Sequence, residues 1–296
     1  VEIVGVLVAF IGLAQFATGS SLGLVASNTA SSGVYRATSA LGSANGTADF
    51  LLVCAGFILL RYTIRRDRCK PRGDVAALAI VAAGIITTFT RSDIIAFAVM
   101  LIAWAALWQV RSISAIGLRT RLVIAAILCV IGVVGVVGTS TLLPRLEGRV
   151  HPTSQANLLN GREEIWSNEL TKLKTASFDT ILLGSGAHTS YTSVYVPQSE
   201  AFREFPPHNL VLWLIVETGL IGLVVYLAAL LSLGRSFLAN ARRRRYEPGG
   251  RVAAVALATT LAFVVNGLFH NTQLSTGSEW YFMLFVGASL RCMTLR

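Results

Sequence analysis

Arg91 sits in ITTFTRSDIIAF, between two apolar runs with almost no loop to hold it in water. A cation that close to hydrocarbon costs roughly 2.5–3.5 kcal/mol or more unless it reaches the interface or is paired. Asp93, two residues on, is one available partner. The other reading is an anion site, because a planar guanidinium donates two parallel hydrogen bonds to a phosphate. His208 follows Pro206 and Pro207 and, with Asn209, opens the apolar run HNLVLWLIVETGLIGL. A histidine at the end of such a run is commonly a capping or interfacial group, yet an ordinary pKa of about 6.5 also suits a general base. Glu217 lies deeper in the same run, about two and a half turns on, where a buried carboxylate needs a partner. Arg162, in LLNGREEIW, reads first as a solvated charge; Asn160-Gly161 is a helix start, and Glu163 and Glu164 favour the first turn. Gly184-Ser185-Gly186, in LLGSGAH, reads as a turn or an anion-cradling nest.

The elements that must position these residues are membrane spans. The chain of 296 residues is 54% hydrophobic and 14% charged, with mean hydropathy +0.64, whereas soluble chains carry about a quarter charged residues. Eight apolar segments fall near 2–17, 47–64, 74–90, 92–109, 120–142, 208–234, 252–269 and 278–294. Fifteen of the 25 basic residues collect in alternate links. These are Arg61, Arg65, Arg66, Arg68, Lys70 and Arg72; Arg111, Arg119 and Arg121; and Arg235, Arg242, Arg243, Arg244, Arg245 and Arg251. The positive-inside rule puts those links, and both ends of the chain, in the cytoplasm. This placement also accounts for the net charge of +10 without nucleic acid as a partner.

The remaining links face outward: 18–46, the tight turn at Arg91, the long stretch 143–207, and 270–277. All four histidines, His151, His188, His208 and His270, lie on that side, as do Arg36, Arg91, Arg145, Arg149, Arg162 and Arg203. A connection as long as 143–207 is itself a functional element. Within it, Ile165, Trp166, Leu170 and Leu173 share one side of a predicted helix that lies on the membrane or caps the bundle. Gly132, Gly135 and Gly138, and likewise Gly219 and Gly222, are spaced for close helix packing. Cys54, Cys69, Cys129 and Cys292 lie in or beside spans, so neither a disulfide framework nor a metal cluster is expected. The chain starts at Val1 and runs directly into an apolar stretch, as an N-terminally trimmed piece of a longer protein would.

The expected fold is therefore an all-α polytopic membrane protein, one domain over 1–296, with about eight transmembrane helices and one large helical extracytoplasmic loop. The order of its motifs resembles the O-antigen ligase and O-antigen polymerase superfamily of bacterial envelope glycosyltransferases. The resemblance starts at RATSALGSANGTADF, with Arg36 and Asn45, and continues through Thr90-Arg91-Ser92, NGREEIW at 160–166, LLGSG at 182–186 and HNLVLWLIVETGLIGL at 208–223.

The resemblance implies a metal-independent transferase without a cofactor, in the bacterial inner (plasma) membrane, its site facing the periplasm or cell exterior. The donor would be an undecaprenyl-pyrophosphate-linked glycan and the acceptor a hydroxyl of a glycan, glycolipid or other molecule. Arg91 and Arg162, and less securely Arg36, would hold the pyrophosphate. His208 would activate the acceptor, with Asn209, Glu217 and Asn45 in support. A transporter of a polyprenyl lipid or small anion is the rival reading, and a scaffold in envelope assembly a third. A transporter should place ionisable groups near mid-membrane, whereas here they gather at one face.

Overall fold

The computed structural model describes residues 1–24, 36–65, 72–109, 162–187, 189–196, 201–244, 246–269 and 278–294. The predicted span 120–142, the glycines at 132, 135 and 138, Arg145, Arg149, His151, His188 and His270 lie outside them. The helices are α1 Glu2–Thr18, α2 Ala44–Arg65, α3 Arg72–Thr87, α4 Arg91–Gln109, α5 Arg162–Thr175, α6 Phe178–Leu183, α7 Leu210–Arg243, α8 Pro248–Phe269 and α9 Ser278–Thr294, with a 3-10 turn at Ser39–Leu41. Three of them, α2, α7 and α8, are long and apolar enough to cross a membrane, and two shorter apolar helices lie at Glu2–Thr18 and Trp280–Met293.

Burial separates these helices by role. The apolar stretch of α2 is 78% buried and that of α8 is 67% buried, against 28% for α7. A helix that is apolar and buried all round belongs at the centre of a bundle. Accordingly α2 and α8 pack on each other, α3 and α1 flank α2, α4 lies along α8, and α7 and α9 cover α8 from other sides. Small residues permit the approach: a Cβ on Gly84 would stand 3.1 Å from the Ala9 backbone, and one on Gly56 would meet Thr259 and Phe285. Aromatic pairs fix α9, with Phe263 and Phe282 stacked at 3.9 Å and Phe57 meeting Phe285 edge-on.

The outer faces remain apolar. Ile3 and Trp280 are 75% and 78% exposed, and Leu7, Phe10, Val224, Val225, Leu231, Met283 and Leu284 are also exposed. So much exposed apolar surface is tolerated where lipid, not water, is the neighbour.

Two expectations change. The predicted sixth span, 208–234, continues as helix to Arg243, so Arg235, Arg242 and Arg243 ride on α7 instead of in a link. The long loop is not wholly helical: β1 Thr192–Val196 pairs antiparallel with β2 Ala201–Phe205, Val194 opposite Arg203. Both strands are rich in β-branched and aromatic residues, which fit a pleated ribbon better than a helix.

The basic end of the bundle is tied by Arg61 of α2. It pairs with Glu2 of α1, and its Nε donates at 2.7 Å to the Asp74 carboxylate of α3. Asp74 is only 6% exposed, so Arg61→Ala strands a nearly buried carboxylate, at a cost of about 1–3 kcal/mol. The expected outcome is a lower unfolding temperature in detergent, partly recovered by Arg61→Lys.

Candidate functional site

The candidate residues collect at the opposite end, where α2, α4 and α7 begin and α3 and α8 finish. The carbonyls in the last turn of a helix have no donor within it. At the end of α3, the Ala37 amide reaches the Thr87 carbonyl at 3.1 Å, and Arg36 Nε reaches that of Thr88 at 2.9 Å. Arg36 Nη2 then donates to Asn45 Oδ1 at 2.8 Å and to Thr90 Oγ1 at 3.1 Å. Arg36 and Asn45 therefore meet directly, and both touch the residue before Arg91. The segment carrying Arg36 is held from beneath by Gln15, whose Oε1 accepts from the Thr38 and Ser39 amides at 3.1 and 2.7 Å.

Arg91 is the first residue of α4 and is exposed. It has no ion pair with Asp93 among the described residues. Asp93 is fully buried and turns inward, where it accepts from Asn266 Nδ2 at 2.9 Å. Arg91 lies near enough to Arg162, at the start of α5, for its charge to act on it. Burial, and after it the positive charge of Arg91, pushes the Arg162 guanidinium below its ordinary pKa. Arg162 Nη1 donates to the Phe269 carbonyl at 2.6 Å, at the end of α8.

His208 lies next to the same helix end. Its φ of 48° is unusual for a residue with a Cβ and breaks the chain direction just before α7 starts. Asn209 is the N-cap of α7: its Oδ1 accepts from the Val211 and Leu212 amides at 2.9 and 3.1 Å. Its Nδ2 donates to the Leu268 carbonyl at 3.0 Å. Asn209 thus fixes His208 against α8 through structural bonds. Trp166 of α5 donates from Nε1 to the Pro207 carbonyl at 2.7 Å, joining the loop helix to the same junction.

Glu217 belongs to a different contact. Gly219, with φ 69° and ψ −175°, interrupts α7, and Gly184 adopts nearly the same conformation, φ 82° and ψ 175°. That region is open essentially to glycine alone. A Cβ on Gly184 would collide with the Glu217 carbonyl and one on Gly219 with that of Leu182. The break frees two carbonyls, and the loop fills them: Ser185 N–H donates to Val216 at 2.8 Å and Gly186 N–H to Glu217 at 3.1 Å. The Ser185 and Gly186 amides are therefore committed to α7 and the Gly184 amide to the Thr180 carbonyl, and the nest reading fails. Gly219 is a chain break at which α7 closely approaches the end of α6, whereas Gly222 makes room for the Thr218 side chain of its own helix. The partner Glu217 needed is Ser190, whose hydroxyl donates to Oε1 at 2.6 Å.

A second buried carboxylate, Glu169 of α5, accepts from Thr192 Oγ1 and from Lys172 Nζ, the latter at 2.7 Å. Lys172 also reaches the Tyr191 carbonyl at 3.1 Å. Residues 189–192 are thereby strapped between α5 and α7.

Sequence reasoning passed over Gln15, Asp49, Glu169, Ser190 and Asn266, all buried polar residues of this region. For Gln15, Asp49 and Asn266 a signal existed, since each interrupts an apolar run and therefore needs a buried partner.

Fold and site together define a polytopic helical membrane protein with a cationic cluster at one end of its bundle. Residues 76–227 match the family described as O-antigen ligase. The match covers just over half of the chain, and the chain belongs to that family; it is a bacterial membrane enzyme of the O-antigen ligase type. No curated protein matches the chain. The matched stretch includes Arg91, Arg162, His208, Asn209 and Glu217, while Arg36 and Asn45 precede it.

Gly219→Ala is expected to cost about 1–3 kcal/mol or more, since it meets both a forbidden conformation and a backbone collision. Faster limited proteolysis within 162–205 and a lower unfolding temperature would record release of the loop from α7.

Proposed function

We propose that this enzyme transfers, or polymerises, an undecaprenyl-pyrophosphate-linked glycan onto an acceptor hydroxyl at the outer face of the bacterial inner membrane. The observation that carries the reading is the convergence of Arg91 and Arg162, from distant parts of the chain, on the end of α8, near enough that one charge acts on the other. Two guanidinium groups held together repel, and a polyanion is the ligand that relieves the repulsion. Pyrophosphate offers oxygens to both forks. A lipid-anchored pyrophosphate presents that charge at the membrane surface, where an interfacial site meets it.

In the proposed reaction, His208 takes the proton of the acceptor hydroxyl as its oxygen bonds to the anomeric carbon of the first donor sugar. The bond from that carbon to the pyrophosphate oxygen breaks, and the electron pair leaves with the pyrophosphate. Charge grows on the leaving group in the transition state, so cations fixed beforehand act most strongly there. Arg36, Asn45 and Thr90 set the turn that presents Arg91. Arg162, Trp166 and Asn209 draw the loop helix and His208 to the same place, so that the long loop acts as a lid over the donor. The basic helix ends at the far side of the bundle support this orientation by the positive-inside rule.

Transfer from a polyprenyl-pyrophosphate glycan by purified protein tests the assignment. Removing one donor to developing charge costs about 10²–10³ in kcat, the loss expected for Arg91→Ala and for Arg162→Ala. His208→Ala should fall by about 10²–10⁴. Undiminished turnover in Arg91→Ala and His208→Ala would sink the site assignment.

A further inference from the structure

The last turn of α8 touches α2, α4, α5 and the head of α7. The Phe269 carbonyl holds Arg162 of α5, and the Leu268 carbonyl holds Asn209, next to His208 at the head of α7. One turn earlier, Asn266 faces the bundle interior, fully buried. Its Nδ2 donates to Asp49 of α2 at 2.6 Å and to Asp93 of α4 at 2.9 Å, and the two carboxyl groups also face each other. Asp93 is two residues from Arg91, in the same first turn of α4.

None of these three side chains reaches the site surface: Asp49 is 2% exposed, and Asp93 and Asn266 are 0% exposed. Helix packing alone does not call for such a cluster. Apolar residues would fill the space without the cost of burying two carboxylates. What the triangle adds is a fixed register between α8 and the start of α4. A ring of directional bonds specifies an angular position that dispersion contacts leave free to slide.

We infer that Asn266 is a positioning residue: through Asp93 it sets Arg91 against the helix end that already holds Arg162 and Asn209. The inference rests on the proposed pyrophosphate site, since it assigns to Asn266 the spacing between that site's two arginines. Asp49 completes the triangle from the central helix, so α2, α4 and α8 share one set of coordinates. Misplacement of a group by about 1 Å can cost 10²-fold in rate, and the cost falls on the transition state more than on binding.

The test uses the full chain in lipid nanodiscs. Asn266→Leu keeps the side chain's bulk and deletes both hydrogens. Expected is a fall of about 10- to 100-fold in kcat per folded protein, with the donor KM changed less than about threefold. The exchange variant Asp93→Asn/Asn266→Asp still has one amide between two carboxylates, and it should recover most of the loss. A spin-label pair at the exposed positions Ile95→Cys and Leu170→Cys, with the four native cysteines replaced by alanine, reads the α4–α5 separation without substrate. A narrow distance distribution in the parent and exchange variants, broadened in Asn266→Leu, is the expected result. An unchanged distribution in Asn266→Leu overturns the inference, whatever the turnover. If the parent transfers nothing from the lipid-pyrophosphate donor, the transferase reading fails, and the distances still decide the positioning role. Should Asn266→Leu not fold, Asn266→Ser takes its place with the same outcomes.

Discussion

Backbone carbonyls at the ends of helices have no donor of their own, and in a lipid environment water cannot supply one. This constraint assembles the site. The end of α3 takes its donors from Ala37 and Arg36, and the end of α8 takes its donors from Arg162 and Asn209. The interrupted turn of α7 is filled by the Ser185 and Gly186 amides. Satisfying three broken helices thus brings together segments far apart in sequence, and the candidate residues travel with them. Arg36 and Arg162 each cap a helix and carry a positive charge in the same act.

A consequence concerns charge. The carboxylates of this region are already engaged: Asp49 and Asp93 with Asn266, Glu217 with Ser190, Glu169 with Lys172 and Thr192. Arg36 and Arg162 are oriented by carbonyl, amide and hydroxyl oxygens. A guanidinium fixed by neutral acceptors keeps its field for an incoming anion, whereas one fixed by a carboxylate loses most of it. At the other end of the bundle Arg61 is paired with Glu2 and Asp74. The same residue type therefore ties helices through carboxylates at one end and through neutral oxygens at the other.

Much of this was legible in the sequence, for a physical reason. Long apolar runs and the clustering of arginines are one-dimensional signals, so α2, α4, α8 and α9, the tight turn before Arg91 and the polarity of the bundle could be read directly. Arg91 stood out because a cation so close to hydrocarbon is costly, whereas Arg162 and His208 read first as a solvated charge and an interfacial group. The chemistry assigned to them came from the resemblance. What could not be read depends on contacts between distant segments. The pairing of Gly184 with Gly219 requires knowing that two strained turns meet, and each glycine alone suggests only a turn or a packing contact. Asn209 was legible only as a support for His208, because capping bonds are invisible until the helix end opposite is placed. The triangle of Asp49, Asp93 and Asn266 left a trace in the polar letters within apolar runs, and that trace was passed over. The ribbon at 192–205 was missed because its alternation is brief and lies within a loop read as helical.

The break at Gly219 bears on how the enzyme meets bilayers of different thickness. It divides α7 into a short upper piece, Leu210–Thr218, and a lower rod, Leu220–Arg243. At 1.5 Å per residue the lower rod is about 36 Å long, which by itself exceeds a hydrocarbon core of about 30 Å. The rod, packed into the core through the buried Phe237 and Ala241, tilts with the bundle to match a thicker or thinner membrane, while the upper piece keeps its own fastening to the loop and to α8. The rod's excess length over the hydrocarbon core lies below the break, on the side away from His208.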